Sequence, residues 1–190
     1  FLNQTNHNVS YNRFNKEEVY SLLFQHDYRA TDNLIFIGNA KLDSYKRNGH
    51  LENTTERLFR LGAIYTPSDT LGFKGFYTRT YLPVSFYNAD FANKLAPKLT
   101  SQQYNIYTAE AVYSKGHSKF NLIYNYVTID DFIYLTPIGF VNIDRPIKTQ
   151  GLIANYIHTL PSKDQVHLNY FTSKQNEGAS NYQTGGYVKY

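Results

Sequence analysis

Apolar and polar residues alternate with a period of two along most of this chain, the pattern of strands that keep one face apolar. In residues 57–82, Phe59, Leu61, Ala63 and Tyr65 share one side of a first run. Leu71, Phe73, Gly75, Tyr77 and Tyr81 share one side of a second, and Pro67-Ser68-Asp69-Thr70 makes the tight turn between them. The same pattern predicts strands over 19–30 (Tyr20, Leu22, Phe24, Tyr28 together) and 33–45 (Leu34, Phe36, Gly38, Ala40, Leu42). It continues through 107–113, 119–129, 151–160 and 165–173, with a further run at about 183–190. Helical periodicity is scarce. The alternation is imperfect, because Ile35, Ile37, Ile123, Val127, Ile153 and Ile157 fall on the nominally polar side. A two-sheet sandwich has the same period, so period alone does not choose between a protein core and another apolar medium.

The connections separate the two cases. Short turns near Thr31-Asp32, Pro67–Thr70, Lys115–Ser118 and Pro161–Asp164 alternate strictly with long links at 46–57, 83–103, 131–148 and 174–182. A sandwich has two chemically equivalent ends and no need of that regularity. A transmembrane barrel has tight turns on one side and long loops on the other. The expected fold is therefore all-β, an antiparallel up-and-down transmembrane β-barrel of which about nine strands are present here. Complete bacterial barrels have an even strand number, so an odd count implies a partial barrel, with its beginning missing. The closing "TGGYVKY" resembles the last-strand signal of barrel proteins, and whether Tyr190 ends the protein stays open.

Composition changes this picture in one respect. The 190 residues include 19 Tyr and 13 Phe but no Trp, Cys or Met. Tyr has an apolar body and a wet tip and suits the boundary between oil and water. Without Cys there are no disulfides, thiolate metal sites or Cys nucleophile. The net charge of +4 is scattered rather than gathered into a stripe, which argues against nucleic acid as partner. No apolar stretch reaches the length of a spanning helix, so contact with lipid falls to strands.

Candidate chemistry is sparse. Phosphate cradles, zinc-protease helices and nucleophile elbows are missing from the sequence. The six His are dispersed at 7, 26, 50, 117, 158 and 167, without ligand spacing. Asp130-Asp131 would point to opposite faces of a strand and reads as strand-end polarity rather than as an acid–base pair. Neither an enzyme nor a cofactor is expected. Tyr65, Tyr81, Tyr113, Tyr134 and Tyr156 lie near strand ends and read as interface-belt residues. Tyr81, Phe86, Tyr87, Phe91 and Tyr134 also lie at or in long links, where stacking on a ligand is the alternative. Arg145 either meets an anionic cargo or pairs locally beside Asp144, the second being favoured. Gly151 reads as tight packing at a strand start.

Several stretches, in order, resemble the barrel of TonB-dependent outer-membrane receptors. "NLIFIGNAKLDSYK" (33–46) resembles the strand before a long loop, with its Gly, basic residue and Asp-x-Tyr. "RLGAIYTPSDTLGFKGFYTRTYLPVSFYNADF" (60–91) resembles the next hairpin and loop. Tyr81-Leu82-Pro83-Val84-Ser85-Phe86 stands at the family's aromatic-Arg-Ala/Leu-Pro-Ser-Phe, and Asn93-Lys94-Leu95-Ala96-Pro97-Lys98 at its Asn-x-x-Leu-x-Pro-Glu. "YTAEAVYSKGHSKFNLIYNYVTIDDFIYLTP" (107–137) and "KTQGLIANYIHTLPSKDQVHLNYFTS" (148–173) are similar to the two hairpins that follow. The chain departs in lacking the Arg beside Tyr81, in carrying Lys98 for Glu, and in placing Thr108 and Glu110 where the family has Glu and Gly.

The resemblance implies a 22-stranded barrel with a plugged lumen, of which residues 1–190 form part of the barrel domain and contain no plug. It implies the Gram-negative outer membrane as location and its lipid as surroundings. It also implies import of a scarce nutrient, most plausibly a ferric siderophore or similar metal chelate. Energy would come from the TonB complex, gripping a box that is not in this sequence. Haem-type members carry a His in the loop after the first hairpin; residues 83–95 have none, which disfavours haem. Residues 83–99 are where cargo contact is expected. A passive porin-like barrel, a barrel-embedded enzyme and a soluble β-rich binding module are the rival readings.

Overall fold

The structure, a computed structural model, describes residues 17–47, 52–176 and 181–190. Nine strands form one antiparallel sheet in the order β1(Glu17–Thr31), β2(Leu34–Arg47), β3(Thr54–Ser68), β4(Leu71–Leu82), β5(Gln102–Lys115), β6(Ser118–Asp130), β9(Ile147–Thr159), β10(Gln165–Gln175), β11(Tyr182–Lys189). Two short strands, β7(Ile133–Thr136) and β8(Gly139–Asn142), form a separate hairpin inside the β6–β9 link, and a five-residue helix α1(Phe86–Asp90) lies in the β4–β5 link. Each sheet strand pairs with its predecessor in sequence, the hairpin β7–β8 excepted, which is up-and-down topology. Among the described residues β1 and β11 are the sheet's edges and do not pair.

Link lengths segregate by side, as the sequence predicts. The turns at 32–33, 69–70, 116–117 and 160–164 occupy one rim; the links 83–101 and 131–146 lie at the other, as do the strand ends at Arg47, Thr54, Gln175 and Tyr182. Gly116 has φ +58°, which lets the β5–β6 turn close in two residues.

The buried apolar side chains among the described residues are Val84, Ile133 and Ile147, all at the long-link rim. Among the described residues neither face of the sheet is covered by a second layer, so the alternating pattern does not feed a sandwich core there. The two faces differ in chemistry. One carries cross-strand polar contacts: Lys74 with Glu110 (3.1 Å), Asn121 with Glu110 (3.0 Å), Thr108 with Asn125 (2.9 Å), and Asn169 with Asn155. The aliphatic residues Ile35, Ile37, Ile123, Val127, Ile153 and Ile157 also fall on this face, by register. The other face is tyrosine, phenylalanine, leucine and alanine. Near the short turns Leu34, Tyr65, Tyr113, Phe120, Tyr156 and Leu168 follow one another across the sheet. Near the long links Phe59, Tyr77, Tyr107 and Tyr126 stack in sequence, with centroids 5.5, 4.8 and 6.1 Å apart. Two aromatic rows enclosing small and aliphatic residues are the pattern that a transmembrane barrel wall presents to lipid, its polar face being the one that lines a lumen.

Three details differ from the sequence reading. Tyr134 lies on β7, outside the sheet, and so belongs to neither girdle. Strand β9 begins at Ile147, so Gly151 lies inside it rather than at its start, and a side chain there would meet only ordinary contacts at 3.5 Å and beyond. Helix α1 was not signalled by periodicity, since five residues are too few to show any.

Gly62 is where the sheet's packing needs glycine. It pairs with Phe76, whose ring lies over it, and a Cβ there would stand 2.2 Å from the ring and 2.9 Å from the Gly75 carbonyl. Arg60 caps the same ring at 4.1 Å. Gly62→Val is expected to destabilise the sheet by about 1–3 kcal/mol, because the Phe76 ring must leave its place over the strand and the Gly75 carbonyl, being backbone, cannot swing aside. Gly75 has open space around it, so Gly75→Val is expected to cost nothing. A shift of the urea midpoint in the first variant and none in the second checks both.

Candidate functional site

The long-link rim gathers the side chains that could meet a ligand. After β4 the chain turns at Pro83, buries Val84, and enters α1 with Ser85 as its cap, the Ser85 hydroxyl accepting from the Asn88 amide at 3.1 Å. One helical turn places Tyr87 and Phe91 together, centroids 4.9 Å apart. Tyr87 also meets Phe140 of β8 edge-on at 5.6 Å.

The backbone fixes this meeting. The Phe140 amide donates to the Phe91 carbonyl (2.8 Å) and the Asn93 amide to the Phe140 carbonyl (3.0 Å), an isolated parallel bridge between Ala92 and Phe140. Asn142 ties the same loops a second time. Its Nδ2 donates to the Thr100 and Asp131 carbonyls, and its Oδ1 accepts from the Thr100 amide at 2.8 Å. The β4–β5 link and the β7–β8 hairpin are thus joined by backbone and side-chain hydrogen bonds.

Two cavities open on this rim. One, of about 550 Å³, lies between α1 and the hairpin and is largely apolar, with Tyr87, Phe91, Leu95, Leu135, Ile138 and Phe140 in its wall. Most of these side chains are exposed, Leu95 by 93%. The other, of about 490 Å³, lies between the β2–β3 and β4–β5 links and is lined by charges of both signs, among them Arg47, Glu56, Asp90, Lys94, Lys98 and Asp131. Arg47 is buried against Glu17 (2.6 Å), Lys98 pairs with Glu52, and Gln103 donates to Glu56 at 3.1 Å. Among the described residues no group of three or more His, Cys, Asp or Glu is placed to hold a metal ion. The described part of this rim offers aromatic faces for stacking and charges of both signs.

Of the residues singled out from sequence, Tyr87 and Phe91 come together in the apolar cavity. Phe86 starts α1, half-buried, outside both cavity walls; Tyr134 is exposed on β7; Arg145 is exposed in the β8–β9 link. Tyr81 does something else. The β3–β4 ladder stops at Phe59↔Arg79, and beyond it the Tyr81 hydroxyl reaches to β2, donating to Asp43 (2.9 Å) and accepting from Tyr45 (2.5 Å). Asp43 also accepts from Ser21 and pairs with Lys41 at 2.8 Å. The Asp-x-Tyr of the sequence is thus a clasp from β4 to β2 beyond the end of the β3–β4 ladder. Leu135, Ile138, Phe140 and Gly139 were not singled out from sequence, although Pro137 and Gly139 between two short apolar runs carry a hairpin's turn chemistry.

The family model described as TonB dependent receptor-like, beta-barrel matches residues 1–188. The chain belongs to that family. Among solved structures, a chain in "Structure of the FpvAI-pyocin S2 complex" superposes with a TM-score of 0.68 at 17% identity. The alignment covers 90% of this chain and 26% of that one, so these 190 residues span about a quarter of that chain's length. At that identity the likeness shows the fold. No curated protein matches. For this member of the TonB-dependent receptor barrel family, sequence and structure agree on architecture: an antiparallel up-and-down sheet of nine strands, open among the described residues, with long links on one rim.

Proposed function

We propose that this chain is part of the barrel domain of a Gram-negative outer-membrane receptor that captures a scarce nutrient at its long-link rim and imports it. A ferric siderophore or similar metal chelate is the cargo the rim suits best. The TonB complex supplies the energy through sequence beyond these residues, and the complete barrel has 22 strands around a plug. The observation that carries the reading is the joined rim: the β4–β5 link and the β7–β8 hairpin lock together by backbone hydrogen bonds and present one aromatic cavity beside one charged cavity. A metal chelate is a bulky ligand with an apolar or aromatic periphery and charge, and it needs both surfaces. With no metal-ligating cluster on the described rim, the metal stays in its chelator and is held as part of the whole.

Phe86→Ala, Tyr87→Ala and Phe91→Ala together test this. Binding of iron-59 presented as hydroxamate, catecholate and citrate chelates is measured on iron-starved cells carrying the full-length protein. Affinity for the chelate that wild type takes up is expected to fall on the order of thirtyfold, the loss typical of truncating a central aromatic cluster. Gel migration of the unheated barrel is expected to stay unchanged, because none of the three side chains is in the sheet. Unchanged affinity in a correctly assembled variant overturns the assignment of cargo to this rim.

A further inference from the structure

The clasp between β2 and β4 brings two phenols into contact. Tyr45 and Tyr81 share a hydroxyl–hydroxyl hydrogen bond of 2.5 Å, with ring centroids 6.0 Å apart and planes at 87°. The Tyr81 hydroxyl also donates to the Asp43 carboxylate at 2.9 Å, and Asp43 is 3% exposed. Arg47, itself paired with Glu17, lies over the Tyr45 ring at 4.7 Å and steadies it. One-electron oxidation of a phenol calls for such an arrangement. An electron can leave through several ångströms of protein, whereas the phenolic proton needs an acceptor within hydrogen-bond reach. Asp43 supplies that acceptor, and the second phenol supplies a partner for the radical that results.

The pair lies directly beside the charged cavity of the long-link rim. By register Tyr45 pairs with Thr54, Asp43 with Glu56 and Tyr81 with Gln103, and those three partners line the cavity together with Arg47. A one-electron oxidant arising in that cavity has this pair next to it. Tyr77 and Tyr107 stack more closely, with centroids 4.8 Å apart and planes at 29°. The Tyr77 hydroxyl, however, donates to the Asn105 amide oxygen at 2.8 Å, and an amide is no base. Ring contact alone thus favours Tyr77–Tyr107, and proton transfer favours Tyr45–Tyr81.

We propose that Tyr45 and Tyr81 form an oxidative cross-linking site, joined as dityrosine by one-electron oxidants of the kind that iron and hydrogen peroxide generate. In the first step Tyr81 gives an electron to the oxidant and its proton to Asp43. The Tyr45 hydroxyl then passes a hydrogen atom to the Tyr81 oxygen, which moves the radical to Tyr45. Asp43 releases its proton to water, and a second oxidation at Tyr81 repeats the first step. The two radicals join through ring carbons that flank their hydroxyls, and each ring regains its phenol by moving the hydrogen of that carbon to oxygen. Two oxidant equivalents are reduced, two protons leave, and one carbon–carbon bond forms. The product ties β2 to β4 covalently beyond the point where the β3–β4 ladder ends. The site does not depend on which cargo the rim holds.

Full-length protein purified in detergent is oxidised by a photogenerated ruthenium(III) complex with persulfate, denatured, cut with trypsin and read by mass spectrometry. Wild type is expected to yield peptide 42–46 joined to peptide 80–94, two hydrogens lighter than the two together. Tyr45→Phe and Tyr81→Phe are each expected to abolish this product. Asp43→Asn, which keeps an acceptor but not a base, is expected to lower its yield on the order of tenfold or more. Peptide 75–79 joined to 99–115, the Tyr77–Tyr107 product, is expected in smaller amount. Yields are compared in protein with the wild-type gel migration of the unheated barrel. Where Asp43→Asn does not assemble, the ratio of the two products in wild type decides. Absence of the 42–46/80–94 product in wild type, its survival in either phenylalanine variant, an equal yield from Asp43→Asn, or a larger Tyr77–Tyr107 product overturns the proposal.

Discussion

Asp43→Ala is expected to lower the stability of the sheet by about 1–3 kcal/mol, the cost of leaving a partly buried donor without its acceptor. Asp43 is 3% exposed and takes hydrogen bonds from Ser21 and Tyr81 while pairing with Lys41. Removing it affects those partners unequally. Ser21 and Lys41 reach water and recover most of their hydration. Tyr81 is half-buried and keeps only the Tyr45 hydroxyl as partner, so one of the two hydroxyl protons loses its acceptor. The consequence is local as well as energetic, because the Tyr81 contact crosses the sheet where the β3–β4 ladder has ended. Without it, the top of β4 is joined to β2 by nothing else in the clasp. Urea midpoints of Asp43→Ala, Tyr81→Phe and the double variant measure the coupling. The double variant is expected to be no less stable than Asp43→Ala alone, since the orphaned hydroxyl is gone. Strictly additive losses would show that the two residues stabilise the sheet independently.

Strand positions, their facing and the segregation of link lengths were legible because they are local properties of the chain. Tyr65, Ala63 and Leu61 oppose Phe73, Gly75 and Tyr77, as alternation and the Pro67–Thr70 turn require. The site was legible only in part. Tyr87 and Phe91 could be read as loop aromatics, but their partner Phe140 lies 49 residues away from Phe91, across two sheet strands, and no local rule joins them. Tyr81 shows the converse. In sequence it looks like any aromatic at a strand end, and its use as a donor to Asp43 follows from where the β3–β4 ladder stops, which a period of two does not encode. The isoleucines on the polar face have a similar origin. A lumen wall is not bound to be uniformly polar as a solvent-facing sheet is, so alternation blurs there without any change of fold.

The largest effect on ligand capture is expected from Gly139→Val. Gly139 has φ +122°, a backbone region that residues with a side chain avoid, and this alone costs of order 1–3 kcal/mol. The surroundings make the substitution worse. A Cβ at this position would stand 2.6 Å from the Phe91 carbonyl oxygen and 2.7 Å from the Asn93 amide, the two groups that hold the β4–β5 link to Phe140. Backbone cannot swing aside as a flexible side chain does. The hairpin therefore either changes conformation or releases the link, and both outcomes break the Phe91–Phe140 and Asn93–Phe140 hydrogen bonds. The apolar cavity then loses one wall. Chelate affinity is expected to drop by about thirtyfold or more, by analogy with loss of a central aromatic cluster, while the urea midpoint of the nine-stranded sheet holds, because Gly139 lies in the separate β7–β8 hairpin. Amide exchange distinguishes this from simple loss of contact. In Gly139→Val the Asn93 and Phe140 amides are expected to lose their protection. In Ile138→Ala, which trims the same cavity without strain, they are expected to keep it. Protected amides in Gly139→Val would mean that the link stays docked, and that the cavity does not depend on glycine at this turn.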